Sequence, residues 1–226
     1  MANEYLPLFG PVHCGILAAI PALAGAMTVI ARRGPVAARA TRITAGLLLM
    51  ANELNWYVYR LRAEGFRFPE ALPLELCDFT LWLTIVSLLT LRGWSFEFAY
   101  YSSLGGTLMA VLTPDLWEPF PSYPTVYFFL AHGGTVACIL FLALSGLARP
   151  RPGSWWRALA AINLFAGLVG LFNFVFKTNY MYLCEKPASA SLLDYLGPWP
   201  WYILASEGVA LALFWLFWLP FRSRAR

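Results

Sequence analysis

Cys77, His132, His13, Glu53 and Asp78 are the residues whose types could together do covalent chemistry, and all five fall in or beside strongly apolar stretches. A cysteine becomes a good nucleophile beside a base. An imidazole can take the thiol proton and return it to a leaving group, and a carboxylate can orient the imidazole. Cys77 would attack a lipid ester, with His132 or His13 as base and leaving-group acid and with Glu53 or Asp78 holding the ring. A second set, Asn173, Lys177, Asn179, Asp194 and Glu207, has the donors and charges to bind substrate, and Asn173, Asn179 or Lys177 could donate to an oxyanion. The other cysteines read differently. Cys138 lies among Ala, Val, Ile and Leu and reads as a small hydrophobe, as does Cys14. Cys184 falls in a loop and could pair with Cys14 or Cys77 if that side is oxidising. The four show no CxxC or zinc-finger spacing. A metal held by His13, His132 and a carboxylate is a weaker option, because no ligand pair has local spacing. No metal and no cofactor are expected.

The elements that must position these groups are membrane spans. Of 226 residues 60% are hydrophobic and 12% charged, with a mean hydropathy of +0.62, whereas a soluble domain carries roughly 25% charged residues. Apolar stretches of about 20 residues, each long enough to cross ~30 Å of hydrocarbon, recur at 11–31, 42–60, 74–91, 96–113, 124–147, 156–177 and 199–219. Pro or Gly punctuates most junctions. The expectation is an all-α membrane protein, a seven-transmembrane-helix bundle, in which residues 1–226 form a single integral membrane domain with no separate soluble one. Met-Ala-Asn-Glu precedes the first stretch without Lys or Arg, so that stretch reads as a retained span rather than a secretory signal.

Charge sets the orientation. Arg32, Arg33, Arg39, Arg42, Arg92, Arg149, Arg151, Arg157, Arg222, Arg224 and Arg226 fall on one side of the alternating loops, and Arg60, Arg62, Arg67, Lys177 and Lys186 on the other. By the positive-inside rule the N-terminus is outside and the C-terminus inside, in a multi-pass protein of the cell membrane. Basic residues spread over such loops set topology, so the surplus of +4 is no argument for a nucleic-acid partner. The expected partner is membrane phospholipid in a lipid bilayer.

On this topology the candidate residues all map to the outer half of the bundle, where they should converge on one cavity. Cys77, Thr80, Thr84 and Ser87 form a polar stripe at helical spacing, and Asn163, Gly167, Gly170, Asn173 and Lys177 form a second, whose glycines would allow close helix approach. Lys177–Tyr202 is long, aromatic and rich in Pro, Gly, Ser and Asp, which suits either an ordered lid or a plain interfacial loop. His13-Cys14-Gly15 and His132-Gly133-Gly134 begin a weak correspondence between spans one to three and five to seven, which would make a 3+1+3 parallel repeat of a kind some transporters use.

Phe9-Gly10-Pro11-Val12-His13, Asn52-Glu53, Leu72-Pro73-Leu74-Glu75-Leu76-Cys77-Asp78, Leu112-Thr113-Pro114-Asp115, the His132 segment and Thr178-Asn179-Tyr180 through Tyr202 resemble the YwaF-like integral membrane proteins of bacteria, related to the eukaryotic transmembrane protein 164 family. The resemblance covers nearly the whole chain. It implies acyl transfer between phospholipids through a cysteine nucleophile, a role that falls on Cys77. The bacterial pattern has a His where this chain has Glu75, so a base at that place would have to be replaced by another group here. Two readings follow: a phospholipid acyltransferase or lipid hydrolase using Cys77, or a small-molecule or proton-coupled transporter using the same polar groups.

Overall fold

The computed structural model describes residues 5–187 and 191–222. Met1–Glu4, residues 188–190 of the outer segment, and Arg224 and Arg226 of the basic tail lie outside the described residues. The described chain is helical: α1 (Pro11–Ala31), α2 (Pro35–Ala63), α3 (Leu76–Thr90), α4 (Gly93–Ser102), α5 (Leu108–Leu112), α6 (Tyr123–Leu144), α7 (Ser154–Phe176) and α8 (Trp201–Arg222). A π turn, Ser103–Thr107, joins α4 to α5 in one continuous rod.

Local chemistry fixes the helix starts. Pro opens α1 and α2 and stands in the first turn of α6, where its missing N–H costs nothing. Glu75 and Asp78 form a reciprocal capping box that starts α3. Gly153, at φ 73°, supplies the left-handed residue before α7.

Each stretch expected to be a span is helical, but the helices are not equivalent. Four of them, α1, α6, α7 and α8, are long and apolar enough to cross a membrane. α3 has 15 residues, about 22 Å of rise, which is short of the ~30 Å hydrocarbon core. α2 has 29 residues but carries Arg39, Arg42, Glu53, Arg60 and Arg62.

α6 is the central helix, with 67% of its apolar window buried, and it packs against α1, α2 and α3. α4 sits against α3 and α7, and α8 lies on α7 and touches the π turn. There Gly105 faces the Phe214 ring, which a Cβ would meet at 2.9 Å. The outer faces of α7 and α8 present Leu164, Leu168, Leu171, Phe174, Leu204 and Trp215, an apolar surface that suits lipid rather than water.

The polar stripe on α3 is a helix seam. Thr80 Oγ1 donates to Ser102 Oγ at 2.8 Å and Ser87 Oγ to Ser95 Oγ at 2.9 Å, so α3 and α4 satisfy each other. The α7 stripe does less packing than its glycines suggest: a Cβ on Gly167 would meet nothing within 4 Å.

The end of the bundle opposite Cys77 also holds a buried charge. Glu97, 4% exposed on α4, accepts from the backbone N–H of Arg151 at 3.0 Å, from its Nε at 2.7 Å and from its Nη2 at 2.9 Å, with Arg157 at 3.5 Å. This ion pair ties α4 to the loop before α7. Its signal in the sequence is a lone carboxylate within an apolar stretch on the side where the arginines collect.

Candidate active site

Cys77 stands in the first turn of α3, inside the Glu75–Asp78 capping box that fixes where the helix begins. Its Sγ accepts a long hydrogen bond, 3.8 Å, from Thr107 Oγ1 of the π turn. π turns widen a helix locally and often occur at functional sites, and here the widening brings Thr107 to the sulfur. Asp78 Oδ2 accepts from the Glu75 N–H at 3.2 Å.

Opposite, on α6, His132 Nδ1 is 2.9 Å from the Phe128 carbonyl one turn back. A carbonyl only accepts, so Nδ1 carries the proton of the neutral ring and Nε2 keeps the lone pair. Phe128 also stacks on the ring at 4.2 Å, so the imidazole is held on one face as well as at one nitrogen. Cys77, Asp78, Leu81, Thr107, Tyr127, Ala131, His132 and Thr135 line one small cavity of about 10 Å³, about the space of one water molecule.

Glu53 stands behind this wall. It is fully buried on α2, and its Oε2 accepts from Tyr127 Oη at 2.7 Å while its Oε1 has no hydrogen-bond partner among the described residues. Its hydrogen bond to the cavity wall is the one to Tyr127. Tyr127 in turn stacks on Trp56 at 4.2 Å and 9°.

His13 is placed differently from His132. Its Nδ1 accepts from the Phe9 N–H at 2.9 Å and its Nε2 lies 2.9 Å from the Val111 carbonyl. Both nitrogens are engaged, and the fully buried ring bridges the start of α1 to the end of α5. It does not line the cavity with Cys77.

None of the expected substrate-binding residues lines that cavity, and Asn173, Asn179 and Asp194 instead bond within the segment that follows α7. Asn173 Oδ1 accepts from Thr178 Oγ1 at 2.8 Å and from the Tyr180 N–H at 3.0 Å, and its Nδ2 donates to the Tyr180 carbonyl. Asn179 Oδ1 accepts from the N–H groups of Cys184 and Glu185. Lys177 Nζ lies over the Phe174 ring at 4.7 Å, Asp194 caps the short helix Leu192–Leu196, and Glu207 accepts from Asn163 Nδ2 at 2.8 Å between α7 and α8.

The described part of the segment after α7 is tied to the site's own helix where Met181 N–H donates to Glu75 Oε2 at 2.9 Å. Tyr180 Oη donates to the Pro69 carbonyl at 2.8 Å. Burial, aided by the nearby Asp115 carboxylate, pushes the Tyr182 phenol up to about 12, so it remains a donor at neutral pH.

The TMEM164 family profile matches residues 8–218, from just before α1 to near the end of α8. The chain belongs to that family. No curated protein and no solved structure matches it.

In this TMEM164-family protein all four cysteines are free thiols, so neither pairing considered for Cys184 is formed. Among the described residues no cluster of three His, Cys, Asp or Glu could hold a metal. Tyr127, Ala131 and Thr135 are cavity residues that chemical type alone did not single out. Their signal is the i, i+4, i+8 spacing that puts them on one stripe of α6 beside His132.

Proposed function

We propose that the protein is a membrane-embedded acyl-handling enzyme, a phospholipid acyltransferase or lipid hydrolase, with Cys77 as nucleophile and His132 as base. The observation that carries the proposal is that Cys77 and His132 line the same cavity, with Nδ1 of the imidazole committed to Phe128 and Nε2 left for proton transfer. In the first step Cys77 Sγ bonds to the carbonyl carbon of a lipid ester while its proton passes to His132 Nε2. The tetrahedral intermediate expels the lysolipid alkoxide, which takes that proton and leaves an acyl thioester. A hydroxyl group, from a second lipid or from water, then attacks the thioester and gives its proton to Nε2. The departing Cys77 thiolate recovers that proton. The Asp78 N–H is taken by the Glu75 side chain, whereas the first-turn amides of Leu76 and Cys77 lack intrahelical acceptors and would donate to the oxyanion. Asp78 shares the cavity, and its ionised form would favour the imidazolium that forms within each step.

The same proposal includes a seven-span bundle in a bacterial cell membrane, N-terminus outside and C-terminus inside, with α1–α3 and α6–α8 as the halves of a 3+1+3 repeat. The site then lies in the outer half, near the depth of phospholipid ester carbonyls. A carrier using the same groups has less support, because below Cys77 the hydroxyls of α3 are bonded to those of α4 rather than facing a path. In a purified preparation with a labelled phospholipid, Cys77→Ser and His132→Gln each lower acyl release about 100-fold or more, and Cys184→Ser does not. Full activity in Cys77→Ser refutes the mechanism.

A further inference from the structure

Acyl transfer from a phospholipid requires a place for the phosphate, and the cations first considered are committed elsewhere. Lys177 lies over Phe174 and Lys186 over Tyr202, and Arg60 pairs with Glu64 at 3.3 Å. One guanidinium at this end of the bundle has no partner among the described residues and also borders a cavity. Arg62, with Asn55, Val58, Tyr59, Ala63 and Tyr123, lines a groove of about 430 Å³ between the last turns of α2 and the first turn of α6.

We propose that this groove binds the phosphodiester headgroup of a membrane phospholipid through Arg62. The proposal rests on the acyl-transfer reading of the Cys77 cavity and supplies the docking site that reading lacks. α2 is 29 residues long, about 43 Å at 1.5 Å per residue, so its end projects past a ~30 Å hydrocarbon core to headgroup level. Arg62 is its second-last residue, and Asn55 lies about 10 Å deeper along the axis. A planar guanidinium matches a phosphate with two parallel N–H donors.

The groove's volume takes a headgroup and not a whole lipid. The acyl chains stay in the bilayer along the exposed Leu54 and Leu61 of α2. The inner wall supplies continuity with the reaction site. Asn55 Nδ2 donates to Tyr123 Oη at 2.7 Å across the groove. Trp56 stacks on the groove's Tyr59 at 5.5 Å and on the cavity's Tyr127 at 4.2 Å. A phosphate held at Arg62 therefore leaves the glycerol esters of the same lipid at the aromatic layer that separates groove from cavity.

The test is binding by the full chain in detergent, with phosphatidylglycerol as probe and diacylglycerol as its phosphate-free counterpart. Arg62→Gln weakens phosphatidylglycerol binding about tenfold or more, with Arg62→Lys between the two. Arg67→Gln, a change at another unpaired cation outside the groove, leaves binding as in the parent, and diacylglycerol binds all variants alike. Val58→Trp, which fills the groove without touching charge, weakens phosphatidylglycerol as well. Unchanged binding in Arg62→Gln, or equal losses in Arg62→Gln and Arg67→Gln, overturns the proposal. Excess inorganic phosphate that competes as well as the lipid also overturns it, because the site would then recognise the anion alone. Parent and variants all carry Cys77→Ala, which removes the nucleophile and with it turnover of the probe, so failure of the assay leaves the Cys77 mechanism standing, and loss of that mechanism leaves the binding result intact.

Discussion

At the residue scale the two histidines separate by what their ring nitrogens touch. His13 spends both, on the Phe9 N–H and the Val111 carbonyl, whereas His132 spends Nδ1 on Phe128 and faces the Cys77 cavity. Sequence position could not divide these roles, since both sit in His-x-Gly contexts near the outer end of an apolar stretch. The difference lies in long-range partners such as Val111, 98 residues away from His13. His13→Phe keeps most of the ring volume but strands the part-buried Phe9 N–H and the buried Val111 carbonyl, the latter worth about 1–3 kcal/mol when unpaired. It should therefore lower the melting temperature in detergent while acyl transfer per folded molecule persists. Retained stability with lost activity would return His13 to the chemistry.

At the element scale the pattern of apolar stretches was legible because hydropathy and Pro/Gly punctuation act locally. All seven stretches are helical, and the bounds of α1 are those expected from sequence. What was not legible depended on register between helices. The α3 stripe looked like the lining of a seam open to substrate, but Ser102 and Ser95 on α4 bond to it. Asn173 and Asn179 looked free because most of their partners are backbone groups in an irregular segment, which no helical period encodes. Asn173 is the clearest case, and it gives a prediction for the segment as a unit. Asn173→Ala removes three hydrogen bonds to Thr178 and Tyr180, so amide exchange across 178–187 should rise while that of α6 stays slow. Unchanged exchange would mean that the segment is held by its other ties, those of Met181 to Glu75 and Tyr180 to Pro69 among them.

At the scale of the whole molecule, the central α6 and the short, capped α3 line the Cys77 cavity, and α7 and α8 present an exposed apolar face. The asymmetric distribution of arginine also has structural work to do at the opposite end. Arg42 donates to the Leu88 and Leu89 carbonyls at the end of α3, and Arg151 pairs with Glu97. A reporter fused after Arg226 should behave as cytoplasmic, and an external signal would invert the depth assigned to the site. The claim on which the rest depends is that Cys77 carries the acyl group during transfer. The direct measurement is intact-protein mass spectrometry after brief incubation with a phospholipid, followed by peptide mapping and hydroxylamine treatment. The mechanism predicts a mass increase equal to one acyl chain, mapped to Cys77 and removed by hydroxylamine, that builds up when no acceptor is supplied. Acyl transfer proceeding with no adduct, or with the acyl group on another residue, would contradict it.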